Sequence, residues 1–207
     1  MDNEIAKLDT NTEKKILDSA RIVFHLKGYN GARMQEIADQ AGINKAMLHY
    51  YFRDKNHLFE SVFREAANRM FPKIMDLLDN DYQLFEKIER FVEGYITLLQ
   101  ENCFMPAFII NEINQNPERI KKFFIEQRIV PPQSFIQQII TAVESGEIKP
   151  IDPKQLMLNI ISLCIFPLVG KPIVQTVLSM NDEQYNRMID SRKKDVSNFI
   201  INAIKVN

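Results

Sequence analysis

Met34–Phe52, MQEIADQAGINKAMLHYYF, reads as two short helices joined by a tight turn. Met34, Ile37, Ala38 and Ala41 recur at helical spacing, and Gly42 interrupts them with a residue that tolerates positive φ. Ile43 is an apolar plug, and Asn44 is a favoured N-cap for a second helix opening at Lys45. The pattern predicts a helix-turn-helix, whose second helix lies in the major groove of DNA. At about 100° per residue, Leu48, Tyr51 and Phe52 share one side of that helix. Ala46 and Tyr50 lie opposite, flanked by Lys45, Met47 and His49. Leu48 and Phe52 thus anchor the helix, leaving a cation, a small residue, an imidazole and a phenol to face outward. Such a face reaches base edges and phosphates. Spacing alone fits an ordinary αα-hairpin with a solvated polar face equally well.

The flanking residues separate the two readings. Glu13, Ile16, Leu17 and Ala20 form E-x-x-I-L-x-x-A, followed by Phe24 and Gly28-Tyr29. Ile37-Ala38, Ala41-Gly42-Ile43, Leu48-x-x-Tyr51-Phe52, and Lys55 with Leu58 complete the series. With these residues Thr12–Phe63, about a quarter of the chain, resembles the DNA-binding domain of TetR-family transcriptional regulators, a far more specific match than a bare helix-turn-helix. Two positions depart from the family pattern. His49 stands where Tyr is common after the recognition-helix Leu, and Arg33 where a small hydroxyl residue commonly opens the first motif helix.

The resemblance implies an all-α fold. A three-helix helix-turn-helix domain over residues 1–54 is expected, then a helical effector-binding and dimerisation domain over 55–207. It implies a sequence-specific regulator, more often a repressor in this family, on a pseudo-palindromic double-stranded operator. Release by a small apolar effector and a homodimer through the last two helices are expected with it. On the DNA side, Lys45 and His49 are expected in the groove, with Met47 flanking and Ala46 permitting close approach. Arg33, Tyr50, Tyr51 and Lys55 are placed to hold phosphates. The competing reading is a helical interaction or scaffold module that keeps the motif as a structural hairpin. An α-helical enzyme comes third.

Composition fits these readings. The 207 residues suffice for one domain or two small ones, and 45% hydrophobic with 26% charged residues is ordinary for a globular chain. A formal net charge of −1 argues against non-specific nucleic-acid binding by the whole chain. Between Glu13 and Lys55, however, eight Lys and Arg stand against five acids. Cys103 and Cys164 have apolar sequence neighbours and are expected as small core hydrophobes, with neither disulfide nor metal spacing. The N-terminus lacks the pattern of a signal peptide, and no stretch has the apolar length of a membrane span. A cytoplasmic protein without a membrane partner is expected.

Helical periods run through the rest of the chain. Residues 1–9 are expected as a loose arm, with Thr10-x-x-Glu13 as a capping box for a helix ending at Gly28. Asp54 caps a long helix from Lys55 to about Leu78, the natural link between the domains. Further helices are expected from Asp81, Pro106, Pro117 and after Pro131-Pro132. Asp152-Pro153 opens a very apolar helix to Phe166, and Asn181-Asp182 opens the last one. Phosphate-binding glycine loops, nucleophile elbows and His-Glu-x-x-His are absent from the sequence, so no cofactor is expected. His57-x-x-Glu60 is a single ligand pair, and no metal is expected. Met70, Phe91, Tyr95, Phe104, Phe108 and Phe124 are the candidate effector residues, with Glu112 to select a cation or donor. Met and aromatic side chains suit an adaptable apolar cavity, and equally suit a plain helical core.

Overall fold

The computed structural model describes residues 2–115, 117–127 and 129–206. Side chains are described at all of these except residues 2–10 and Phe104, Ala107, Phe108, Asn111, Glu112, Gln115 and Arg119. The chain forms α1 (Asp2–Gly31), α2 (Met34–Ala41), α3 (Lys45–Tyr51), α4 (Lys55–Leu78), α5 (Leu84–Glu101) and α6 (Phe104–Gln115). These are followed by α7 (Pro117–Glu126), α8 (Gln133–Glu144), α9 (Pro153–Val169), α10 (Lys171–Val177) and α11 (Asp182–Ile204). The fold is all-α. It divides into two compact units, Met1–Asn68 and Arg69–Asn207, and the division falls inside α4. Pro72 lies within that helix and withholds the amide that would otherwise bond the Asn68 carbonyl.

The first unit buries the predicted apolar face. Ile16, Ala20, Phe24, Ile37, Ala38, Ala41, Leu48, Leu58 and Val62 are fully sequestered. Phe24 and Phe59 meet edge to face at 4.6 Å. Arg21 joins Asp18 at 3.0 Å and Glu65 at 2.8 Å, tying α1 to α4. Gly28 takes φ 67, a left-handed conformation that costs a glycine nothing, and interrupts α1 where the helix was expected to stop. The arm differs from expectation: residues 2–9 are helical and continuous with α1. Backbone hydrogen bonding supplies what side-chain periodicity did not signal.

In the second unit α5, α8, α9 and α11 pack around Phe91, Ile88, Ile96, Phe135, Ile139, Ile160 and Ile189. Expected helix starts are met by caps: the Asp152 side chain accepts from the Lys154 and Gln155 amides, and Asn181 with Gln184 forms a reciprocal capping box. Lys149 closes the far end of α11, donating its amide to the Ile204 carbonyl at 2.7 Å and its ammonium to Ala203 at 3.2 Å.

Two expectations are corrected here. α9 does not stop at Phe166 but runs through Pro167 to Val169. Pro167 has no N–H for the Leu163 carbonyl one turn earlier, and the Arg192 guanidinium of α11 donates to that carbonyl at 2.7 Å instead. The Tyr185 hydroxyl in turn donates to the Pro167 carbonyl at 3.0 Å. Of the two cysteines, Cys164 is buried, its thiol pushed up to about 12 by burial, whereas Cys103 is exposed. Among the described residues no single helix is long and apolar enough to cross a membrane. α9 and α10 would suffice only together, and they meet at 81°.

Candidate nucleic-acid interface

The motif is assembled by backbone hydrogen bonds that its sequence specifies. Gly42 takes φ 64 and ψ 37; its amide donates to the Asp39 carbonyl at 3.0 Å, and the Ile43 amide to the Ala38 carbonyl at 3.0 Å. This Schellman arrangement ends α2 and turns the chain. Asn44 then caps α3, its side chain accepting from the Met47 amide at 2.7 Å. Leu48 is wholly buried and Phe52 nearly so, and they seat the helix. Arg33 occupies the N-cap of α2 without a side-chain capping bond, so its guanidinium, on an exposed residue, is not used to close that helix.

The outward residues fall where helical spacing puts them. Lys45, Ala46, Met47, His49 and Tyr50 are exposed, Tyr50 by 80%, while Tyr51 is half-buried with its ring edge to face with that of Tyr50 at 5.4 Å. His49 spans the end of its own helix, with Nδ1 3.0 Å from the Arg53 carbonyl. Lys55 is placed differently from these. Its ammonium donates to the carbonyls of Tyr29 at 3.0 Å and Ala32 at 3.2 Å, and lies 4.5 Å from the centre of the Tyr29 ring. It therefore pins the connector between α1 and α2, where the carbonyls at a helix end favour a cation.

The remaining charges shape the rim. Lys27 and Glu36 pair at 2.9 Å, and that bond is the main reason the Glu36 carboxyl sits below its ordinary range. Asp54 caps α4: its oxygens take the His57 amide and the His57 ring Nδ1, each at 3.0 Å. These bonds, the backbone one first, hold its carboxyl below the usual range. His57 and Glu60 are thus already engaged, the first by Asp54 and the second by Asn56 at 3.1 Å. Lys15 is a cation the sequence reading did not single out. Its ammonium lies 3.5 Å from where a Cβ on Gly42 would stand, beside the turn itself. The basic excess of this segment was the only signal for it.

The candidate effector residues are only partly brought together. Met70 and Phe91 are buried, and Phe91 stacks on half-buried Tyr95 at 5.4 Å. Burial drives the Tyr95 phenol well above its ordinary range. Phe124 meets Phe71, the neighbour of Met70, edge to face at 5.4 Å. The side chains of Phe104, Phe108 and Glu112 lie outside the described residues. Two clefts are described elsewhere: about 410 Å³ beside Leu84, Ser134 and Gln138, and about 460 Å³ beside Leu77, Tyr82 and Glu93.

Comparison with known proteins decides the family. Residues 16–62 match the family model of bacterial regulatory proteins, tetR family. The biofilm operon icaADBC negative transcriptional regulator IcaR of Staphylococcus aureus (strain Newman) is 30% identical over 152 residues, spanning 65% of this chain and 82% of IcaR. The chain belongs to the TetR family. It is a DNA-binding transcriptional regulator, of a non-enzymatic family. IcaR of Staphylococcus epidermidis is 26% identical over 70% of this TetR-family chain and 72% of its own length. Among solved structures, the hemolysin II transcriptional regulator HlyIIR superposes with a TM-score of 0.59 at 24% identity, covering 96% of this chain and 99% of HlyIIR. PfmR of Thermus thermophilus gives 0.62 at 18% identity, covering 88% and 97%. These structures share the fold.

Proposed function

We propose that this regulator is a cytoplasmic repressor that binds a pseudo-palindromic operator as a homodimer and is released by a small apolar effector. The observation that carries the DNA half is α3: capped by Asn44 and anchored by Leu48, it leaves Lys45, Ala46, His49 and Tyr50 exposed. Lys45 and His49 read bases with Met47 flanking them, Ala46 allows close approach, and Arg33, Tyr50 and Tyr51 take phosphates. Lys15 joins the phosphate contacts. Lys55 serves mainly by holding the connector below the motif, with its remaining N–H toward the backbone of the DNA. Repression is the sense in which the IcaR relatives are named.

Dimerisation is supported by Leu158 and Phe166 on α9 and Phe199 on α11, large apolar side chains left exposed in the single chain. A helix-turn-helix dimer reads half-sites about 34 Å apart or a multiple of that, so a palindrome needs two reading heads. The effector half rests on Met70, Phe91, Tyr95, Phe104, Phe108, Glu112 and Phe124. In this reading residues 1–54 form the reading head, and α4 carries the ligand state to it from a domain of residues 55–207. An effector acts only by preferring one arrangement of the heads. A coupling of about 1–3 kcal/mol corresponds to about 5–150-fold in operator affinity, and the operator weakens effector binding by the same factor.

Selection of bound duplexes from a random pool tests this, repeated with small molecules from a cell extract present. The expected result is an enriched palindrome whose binding weakens steeply with salt, as phosphate neutralisation requires. Enrichment without sequence preference would instead favour the interaction-module reading.

A further inference from the structure

We infer that His49 reads which strand of a base pair carries the exocyclic amino group, accepting a hydrogen bond from adenine N6 or cytosine N4. The inference rests on α3 being the groove-facing helix, and it assigns the imidazole a definite chemical polarity there. Nδ1 lies 3.0 Å from the Arg53 carbonyl oxygen. A carbonyl oxygen only accepts, so Nδ1 must carry the proton. A neutral imidazole has one N–H, which leaves Nε2 with a lone pair and no hydrogen. His49 is an exposed residue, and Nε2, the nitrogen that this bond does not use, is its acceptor.

A side chain locked in this way does not distinguish A·T from G·C as such. Each base pair carries one exocyclic amino group in the major groove, on adenine or on cytosine, and keto oxygens on the partner base. An acceptor therefore favours an amino base on the strand it faces and excludes guanine or thymine there. Lys45, one helical turn earlier on the same side of α3, is a pure donor and needs an acceptor instead, which guanine, thymine and, through N7, adenine offer but cytosine does not. The two side chains read opposite polarities from adjacent parts of one groove. A tyrosine at position 49 would have a hydroxyl that both donates and accepts, and would lose this discrimination.

The test uses the full-length protein at about pH 8.5, where an imidazole is neutral. Duplexes are selected by the native protein, His49→Ala and His49→Lys. The native protein is expected to enrich A or C at one position per half-site. His49→Ala flattens that position alone, and His49→Lys turns it away from C and toward G, whose O6 and N7 both accept. On the selected operator the amino group is then deleted from that base, with purine in place of adenine or 2-pyrimidinone in place of cytosine. Loss of one hydrogen bond weakens the native protein by about three- to ten-fold and leaves His49→Ala unchanged. This second arm still decides the matter should His49→Lys fail to fold. An operator enriched normally, but with G or T at the His49-dependent position, overturns the inference alone, as does an equal loss for both proteins on deleting the amino group. If the native protein enriches no sequence, the DNA-binding reading beneath it falls too.

Discussion

The two units bury their apolar residues to different ends. In the first, Leu48, Leu58, Ile37 and Phe24 are consumed by one small core; the exposed face of α3 is polar apart from Ala46 and Met47, and the other large aliphatic side chains left outside are Ile22 and Leu26 of α1. In the second, the same helical periods leave large apolar side chains outside: Phe199 is 65% exposed, although Ile200 beside it is 3% exposed. On the proposed function, α3 becomes a reading surface because large aliphatic residues other than Met47 are withheld from its outer face, and α11 an assembly surface because Phe199 is left on its own. Periodicity marks both kinds of helix alike. What separates them is whether a single chain has enough neighbours to cover the stripe.

Substitution at adjacent residues of α11 gives the largest expected effect. Ile200→Asp places an unpaired charge in the core and should cost about 4 kcal/mol or more, unfolding the second unit in a thermal melt. Phe199→Asp should leave the melt of the monomer nearly unchanged and abolish the dimer in sedimentation. A Phe199→Asp protein that remains dimeric would move the assembly surface away from this face of α11. The distinction was invisible in the sequence, where both positions are simply apolar residues at helical spacing.

Arg192 comes next. Its bond to the Leu163 carbonyl stands in for the amide that Pro167 lacks, so Arg192→Ala should cost about 1.5–3 kcal/mol by calorimetry. Restoring the amide with Pro167→Ala in the same chain should recover part of that loss. Independent, additive effects would show that the two residues do not share one carbonyl. Here sequence reading ended α9 too early. A proline is legible locally, whereas the arginine that compensates for it lies a helix away. Lys87 makes the same point. It is 2% exposed on α5, its ammonium donating to the Asn80 carbonyl at 2.7 Å, and desolvation lowers its pKa. No pattern announces a lysine whose partner is a backbone oxygen.

The first unit was far more legible because its information is local. Asn44, Gly42 and Gly28 act through bonds to residues within a few positions, and the apolar face of each short helix has one core to meet. The candidate site was legible to the same depth: which residues of α3 face outward followed from spacing, but the engagement of Lys55 and His49 with backbone carbonyls did not. That contrast sharpens the DNA predictions. Lys45→Ala should lower operator affinity by about 1–3 kcal/mol and relax the selected sequence. Lys55→Ala should weaken all duplexes alike and also lower the melting stability, by about 1–3 kcal/mol, because two charge-assisted bonds are lost. A Lys55→Ala protein of native stability would return this lysine to a purely phosphate-binding role.

The smallest effect distinguishes two caps built on one plan. Asn44 and Asp54 each accept the backbone amide three residues ahead, opening α3 and α4, but only Asp54 titrates. Replacing either by Ala should cost about 1 kcal/mol near neutral pH. The sign of the pH dependence follows from the direction of the Asp54 shift. Its carboxyl is held below the ordinary range by the His57 amide and ring, so the folded state favours the ionised form more than the unfolded chain does. That stability is fully present above the unfolded carboxylate value of about 3.9 and is lost as pH falls through the lower folded value. The gap in stability between native protein and Asp54→Ala should therefore narrow below about pH 4, whereas the gap for Asn44→Ala should stay constant. Thermal melts of the three proteins across that range read the difference directly. Parallel curves for both variants would mean that the Asp54 carboxylate contributes no more to α4 than an uncharged acceptor does.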